Sequence, residues 1–119
     1  GLEKIENIFL TKAVAYKELV YILSQSDFVV TDSGGIQEEG ISLNKKVLVV
    51  REKTERPEGI NSGLAFLVGS DKEKIKKMME MCAKKVYTPS NAFLSVYGDG
   101  TAAEKIVSIC CKKMVDQKR

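Results

Sequence analysis

The 119-residue sequence predicts an α/β fold with a mostly parallel sheet and flanking helices. Short apolar runs, Phe28-Val29-Val30-Thr31 and Val47-Leu48-Val49-Val50 among them, alternate with longer segments whose apolar residues recur at helical spacing. The runs lack the polar alternation of a sheet with one wet face, as do strands covered on both faces. Polar turns follow them, the connections that strand–helix–strand crossovers need.

In chain order, residues 5–10 read as a first strand, with Asn7-Ile8-Phe9-Leu10 its core, and residues 11–14 as a connection. Residues 16–24 read as helix, because Leu19, Val20, Ile22 and Leu23 recur near the 3.6-residue period. Gln25-Ser26-Asp27 ends it, and Phe28–Thr31 forms the second strand. After the turn Asp32-Ser33-Gly34-Gly35, a short helix covers residues 36–43 and closes near Asn44, a residue type that tolerates the left-handed conformation. Residues 47–50 are the third strand. Residues 51–62 are a polar loop with a helical turn starting at Pro57, since proline suits a first helical position. Residues 65–68 are the fourth strand, broken by Gly69. Asp71 caps a lysine-rich helix over residues 72–85, with Ile75, Met78, Met79 and Cys82 on one stripe and the methionines as core filler. Residues 87–100 form a loop containing Pro89. Thr101 then caps a last helix over residues 102–115, whose stripe includes Ile106, Val107 and Cys110, and the tail at 116–119 is expected to fray.

The length suits one domain over residues 1–119 with a real core and no internal boundary. Apolar residues make up 44% of the chain, which argues against disorder, and the net charge of +3 is mild. The lysines, densest near residues 72–77 and at the C-terminus, read as solvated helix faces; no arginine-rich run or aromatic stacking pattern points to nucleic acid. No apolar run approaches the ~20 residues that span a bilayer, and no signal peptide is visible, so the expected location is intracellular and cytoplasmic, without a membrane partner. Cys82, Cys110 and Cys111 lack metal-ligand spacing and are expected to be reduced, mostly packing residues. The absence of histidine excludes a Ser-His-Asp or Cys-His unit within this chain.

The candidate site is the stretch from Phe28 to Glu39. Strand, small-residue turn and helix in that order make an anion site, because the first amides of a helix lack intrahelical partners and carry partial positive charge. Gly34 and Gly35 let a phosphate approach the backbone, and Ser33 adds a hydroxyl as cap or donor. Glu39, about one turn in, is placed to accept from ribose hydroxyls. The plainer alternative is a tight strand–helix connection. A second polar loop, Thr54-Glu55-Arg56-Pro57-Glu58-Gly59, follows the next strand, and loops at the carboxyl ends of neighbouring parallel strands meet at one edge.

Thr31-Asp32-Ser33-Gly34-Gly35-Ile36-Gln37-Glu38-Glu39, then Thr54-Glu55-Arg56-Pro57-Glu58, then Tyr97-Gly98-Asp99-Gly100, closely resemble the C-terminal part of the non-hydrolysing UDP-N-acetylglucosamine 2-epimerases. The resemblance runs from Asn7 to about Val115 and covers only the C-terminal portion of that family's longer chain. It implies a Rossmann-like domain, part of a two-domain GT-B-type enzyme that interconverts UDP-N-acetylglucosamine and UDP-N-acetylmannosamine. The reaction it implies is elimination of UDP to a 2-acetamidoglucal, then re-addition. No metal or NAD is implied as cofactor, and the full-length family is expected to be homodimeric and to serve cell-surface polysaccharide synthesis.

By the same resemblance, Ser33, Gly34 and Gly35 would hold the UDP diphosphate, Glu39 the ribose, and Arg56 the nucleotide-sugar. Arg56 would stabilise the leaving diphosphate as its charge develops; its alternative is a surface arginine paired with Glu55 or Glu58. Val14 and Leu19 fall at the uracil pocket, although Ala13 and Leu19 stand where the family more often has Pro and Phe. The Tyr97-Gly98-Asp99-Gly100 turn is expected to start the last helix, with Asp99 and Thr101 satisfying free amides. Asp32 is expected to orient the phosphate turn and Glu38 to lie on the helix exterior. The implied acid/base carboxylates and catalytic histidine belong upstream, in an N-terminal epimerase domain that would be the chain's partner, so no catalytic residue is assigned here. The chain alone is expected to bind UDP weakly, not to epimerise, and to self-associate through exposed sheet edges. The alternatives are the nucleotide-sugar domain of a GT-B glycosyltransferase, a hydrolysing epimerase, and a non-catalytic nucleotide-binding module.

Overall fold

The computed structural model describes residues 1–84 and 96–116, without the side chains of residues 115 and 116. A 3-10 turn at Leu2–Lys4 precedes α1 (Tyr16–Gln25), β1 (Phe28–Thr31), α2 (Gly34–Ser42), β2 (Lys46–Val49), α3 (Pro57–Asn61), β3 (Ala65–Leu67), α4 (Lys72–Ala83) and α5 (Ala102–Asp116). The sheet runs β1-β2-β3, parallel throughout. Phe28 pairs with Lys46 across β1 and β2, and Val47 with Ala65 across β2 and β3.

The central strand is buried along its whole length, and its pleat divides the core. Val47 and Val49 turn to one face, where Leu23, Val29, Ile41, Leu64 and Ala65 join them; Leu19 of α1, Ile36 of α2 and Ile60 of α3 pack against this cluster. Val96 and Tyr97 return to the same core. Leu48 turns to the other face and meets Val68 and Cys82, with Ile75 and Met78 of α4. Parallel strands covered on both faces read as unbroken apolar runs for this reason.

Most caps follow the local signals. The Glu18 carboxylate accepts from Ala15 N (2.9 Å) and ties down the start of α1. Ser33 caps α2, so that helix begins at Gly34, two residues before the expected start. Asn44 takes φ 58 at the exit of α2. Pro57 opens α3, and Asp71 Oδ1 accepts from Lys74 N (3.0 Å) at the start of α4. No helix among the described residues is long and apolar enough to cross a membrane.

Three expectations are corrected. Residues 5–10 are not a strand. Asn7 sits at φ 69, which an extended strand does not allow, and Ile8 N turns back to Ile5 O (3.2 Å). No described strand lies on the open side of β1 to pair with this run, and Phe9 is left 87% exposed. The stripe of α5 is not core either: every described side chain from Ala102 to Met114 is exposed, Ile106 and Val107 included. Cys110 and Cys111 on that helix are therefore exposed free thiols, whereas Cys82 is buried, and burial raises its thiol pKa. The loop expected over residues 87–100 lies largely outside the described residues, as does the end of the tail.

At the start of α5 the division of labour differs from expectation. Asp99 Oδ1 accepts from both the hydroxyl and the amide (3.0 Å) of Thr101, so the threonine hydroxyl donates rather than capping. Lys105 Nζ lies 3.2 Å from the other carboxylate oxygen. The Thr101 hydroxyl, then its amide, then Lys105 hold the Asp99 pKa below the ordinary 3.8, at about 2. A carboxylate depressed in the folded state supports the structure above its unfolded pKa and ceases to do so as pH falls through the folded value. The first turn of α5 is expected to loosen between roughly pH 4 and pH 2. An NMR titration of the Asp99 carboxyl should find its midpoint near the lower end; a midpoint at the ordinary value would remove this account of the turn.

Candidate functional site

Where β1 gives way to α2, Thr31 Oγ1 accepts from Ser33 N (3.0 Å) and folds the chain over. Thr31, not Asp32, orients the turn; Asp32 is exposed and makes no hydrogen bond or ion pair among the described residues. Ser33 is extended (φ −81, ψ 128), and its hydroxyl accepts from Ile36 N at a long 3.4 Å. The first intrahelical bond runs from Gln37 N to Ser33 O (3.1 Å). The amides of Gly34 and Gly35 precede it, and no described group accepts from them.

The three glycines of α2 do different work. A Cβ built on Gly40 would stand 2.8 Å from Val47 Cγ2, so Gly40 lets the helix lie close on the sheet. A Cβ on Gly34 would meet nothing within 4 Å, and one on Gly35 only Ser33 Oγ at 3.9 Å. Neither Gly34 nor Gly35 has positive φ. The fold thus gives no reason for glycine at these positions, and the space above two unpartnered helical amides is left open.

Glu39, half-buried, accepts a hydrogen bond from the Tyr16 hydroxyl (2.7 Å), which joins the start of α1 to α2. This bond is the main cause of a raised Tyr16 pKa. Val14 lies two residues before Tyr16 and is 37% exposed. Leu19 packs against the core on the same side as Leu23, so its side chain serves α1 packing. Tyr16 is a residue that sequence reasoning missed, since its partner is 23 positions away.

Arg56 pairs with neither Glu55 nor Glu58. Glu55 is held by Arg51 in a two-pronged bond (2.9 Å each), which lowers its pKa. Arg56 Nε instead pairs with Glu38 Oε1 of α2, the main cause of a raised arginine pKa. The backbone of Arg56 is fixed as well: Thr54 Oγ1 accepts from Arg56 N (3.1 Å) and donates to Gln37 Oε1 (2.9 Å). Gln37 is fully buried, and its Nε2 and the Tyr97 hydroxyl are buried without a described partner. Gln37, Glu38 and Thr54 are thus further residues of the site. All three lie within the resembled runs at residues 31–39 and 54–58, and a further signal is a glutamine on the apolar face of α2, three and four residues before Gly40 and Ile41.

The arrangement offers two open amides and a serine hydroxyl at a helix N-terminus, a carboxylate on the same helix, and a cation clipped to that helix from the next loop. That set suits a phosphorylated sugar or nucleotide, with hydroxyls for the carboxylate. No group of three His, Cys, Asp or Glu side chains among the described residues could hold a metal ion. A cavity of about 410 Å³ lies elsewhere, between β3 and α4, lined by Phe66, Leu67, Val68 and Met78 among others. Its apolar lining, with Lys74 the one charged member, gives an anion little to bind.

A family profile described as UDP-N-acetylglucosamine 2-epimerase matches residues 1–110. A UDP-N-acetylglucosamine 2-epimerase from Campylobacter jejuni is 43% identical over 113 residues, which is 93% of this chain and 30% of that protein. Among solved structures, the Neisseria meningitidis UDP-GlcNAc 2-epimerase bound to UDP-GlcNAc superposes with a TM-score of 0.76 at 36% identity, over 93% of this chain and 31% of that one. The S. aureus MnaA–UDP co-structure gives 0.80 at 36% identity, over 89% and 29%. The chain therefore spans about 30% of the length of such relatives.

Proposed function

Because the chain belongs to the UDP-N-acetylglucosamine 2-epimerase family, we propose that it forms the UDP-binding part of such an enzyme, within a C-terminal Rossmann-like domain acting in the cytoplasm. The observation that carries this reading is the open space over the Gly34 and Gly35 amides beside Ser33, with Arg56 tied to the same helix. The two amides and the Ser33 hydroxyl take the diphosphate. Glu39 accepts from the ribose, exchanging its Tyr16 bond for sugar hydroxyls. Val14 lies at the mouth of the uracil pocket, with Leu19 supporting α1 from the core side.

In the proposed reaction the bond between the sugar anomeric carbon and the UDP oxygen breaks as the C2 proton is removed, leaving a 2-acetamidoglucal and UDP. Re-addition of UDP with proton return to the opposite face of C2 gives the epimer. Arg56 and the helix amides stabilise the diphosphate charge as that bond breaks, acting on the leaving group alone. Proton removal and return on opposite faces require two placed acid/base groups. Of this chain's carboxylates near the turn, Glu38 is held by Arg56 and Glu39 by Tyr16, and Asp32 alone, exposed and unpartnered among the described residues, does not make a pair. The acid/base groups are accordingly assigned to the remaining two thirds of the enzyme, which is also the proposed partner of this segment.

Titration of the chain with UDP, and with GDP and AMP as comparisons, tests the reading by amide NMR. UDP is expected to shift resonances over residues 33–39 selectively, and Ser33→Ala and Glu39→Ala to weaken the response. A folded spectrum with no response to UDP, or an equal response to all three nucleotides, would overturn a UDP site in this chain.

A further inference from the structure

We infer that Glu38 is a positioning residue for Arg56, setting the guanidinium so that its outer edge meets the diphosphate; the inference rests on the UDP reading above. Glu38 grips Arg56 by Nε, the nitrogen nearest the side-chain stem. Nη1 makes only a long contact to Glu55 O (3.4 Å), and Nη2 makes no hydrogen bond among the described residues. The carboxylate thus fixes one edge of a planar group and leaves the other for a ligand.

Stability does not explain the pair. Both side chains are more than a third exposed, and ion pairs of that kind contribute little to folding. Electrostatics alone would argue against it, since a carboxylate beside a diphosphate site repels the ligand. What the pair supplies is geometry. Glu38 lies four residues after Gly34, one turn along the same helix face, so the cation is referenced to the amides that open α2. The Gln37–Thr54–Arg56 chain of hydrogen bonds does the same for the Arg56 backbone. The two halves of the anion site are joined through consecutive residues of α2, and neither needs to be ordered when ligand arrives.

The test compares Glu38→Ala and Glu38→Gln in the full chain, with UDP and uridine as probes. The Glu38→Gln variant keeps an oxygen that can accept from Arg56 Nε but carries no charge. Glu38→Ala is expected to weaken UDP binding about tenfold, with uridine binding unchanged, and Glu38→Gln to stay within about threefold of the parent. In an Arg56→Ala background, Glu38→Ala should have no further effect. Tighter UDP binding by Glu38→Ala would show a competing carboxylate and overturn the proposal. Equal losses for UDP and uridine would show a merely structural role, and loss in Glu38→Gln equal to that in Glu38→Ala would overturn positioning through the oxygen. A ligand-free readout separates this proposal from the UDP reading. The Arg56 Nε–H should be protected from exchange in the parent and in Glu38→Gln but not in Glu38→Ala. Absence of protection in the parent overturns the positioning role even if UDP binds. Failure of the parent to bind UDP overturns the functional reading, and the role of Glu38 with it.

Discussion

Gly34→Ala is expected to leave the chain folded and no less stable, while lowering its affinity for UDP by about tenfold or more. The two effects have opposite signs because they arise in different places. For folding, the new methyl meets no atom within 4 Å, the backbone is helical, and φ is not positive. Alanine then restricts the unfolded chain and stabilises by up to about 1 kcal/mol. For binding, the methyl stands in the open space above the amides, where a phosphate oxygen must come within hydrogen-bond distance of backbone nitrogen. Displacing the anion by even part of an ångström forfeits charge-assisted bonds. Urea unfolding and UDP titration on the same sample read both quantities. Loss of stability with unchanged affinity would mean that Gly34 serves the fold and that the phosphate lies elsewhere.

The largest effect on folding is expected from Leu48→Ala, at about 3 kcal/mol. Leu48 is fully buried at the centre of β2 and faces α4. On that side the buried apolar residues among those described are Leu48, Val68 and Cys82, so the layer is thin. The cluster on the opposite face has seven buried apolar members among the described residues, so truncating one side chain there, as in Val49→Ala, leaves more of the cluster standing. Met78 can swing partly into the vacated volume, which places the cost near the middle of the range for leucine truncations rather than at its top. A loss of this size is a large share of the stability of a small domain. Urea unfolding should show it, and amide exchange should show α4 released before α1 and α2. A loss under about 1 kcal/mol would mean that Leu48 does not anchor that layer.

What can be foreseen from the sequence is what local chemistry determines. The Phe28–Thr31 strand, the Ser33 cap, the left-handed Asn44, the Pro57 helix start and the Asp71 cap each depend on a few adjacent residues, and all are found. The run at residues 5–10 reads wrongly as a strand because a strand is a relation between two segments. Its apolar character is visible in the sequence, but a partner for it is not, and Asn7 turns the chain instead. The α5 stripe has the same limit: periodicity reveals an amphipathic face without saying what covers it. At the candidate site, Ser33, Gly34, Gly35, Glu39 and Arg56 are marked by the turn and by the resembled motifs. Which carboxylate holds Arg56 is not foreseeable. Arg51 engages Glu55 from four residues away, and Glu38 reaches Arg56 from 18. A competition between near and distant partners is decided only when β1 and β2 lie side by side.

The strand registers bear on how the chain folds in time. Phe28 pairs with Lys46 and Val47 with Ala65, so each parallel pairing closes a loop of 18 residues. Closure entropy grows slowly with length, so the two steps cost nearly the same, and neither must wait for a distant part of the chain. Both lie within residues 28–67, so the described sheet closes within one continuous stretch of chain. Neither the exposed run at residues 5–10 nor α5 contributes a strand to these closures. The described sheet is therefore closed by its own interior stretch, with both exposed segments outside the pairing.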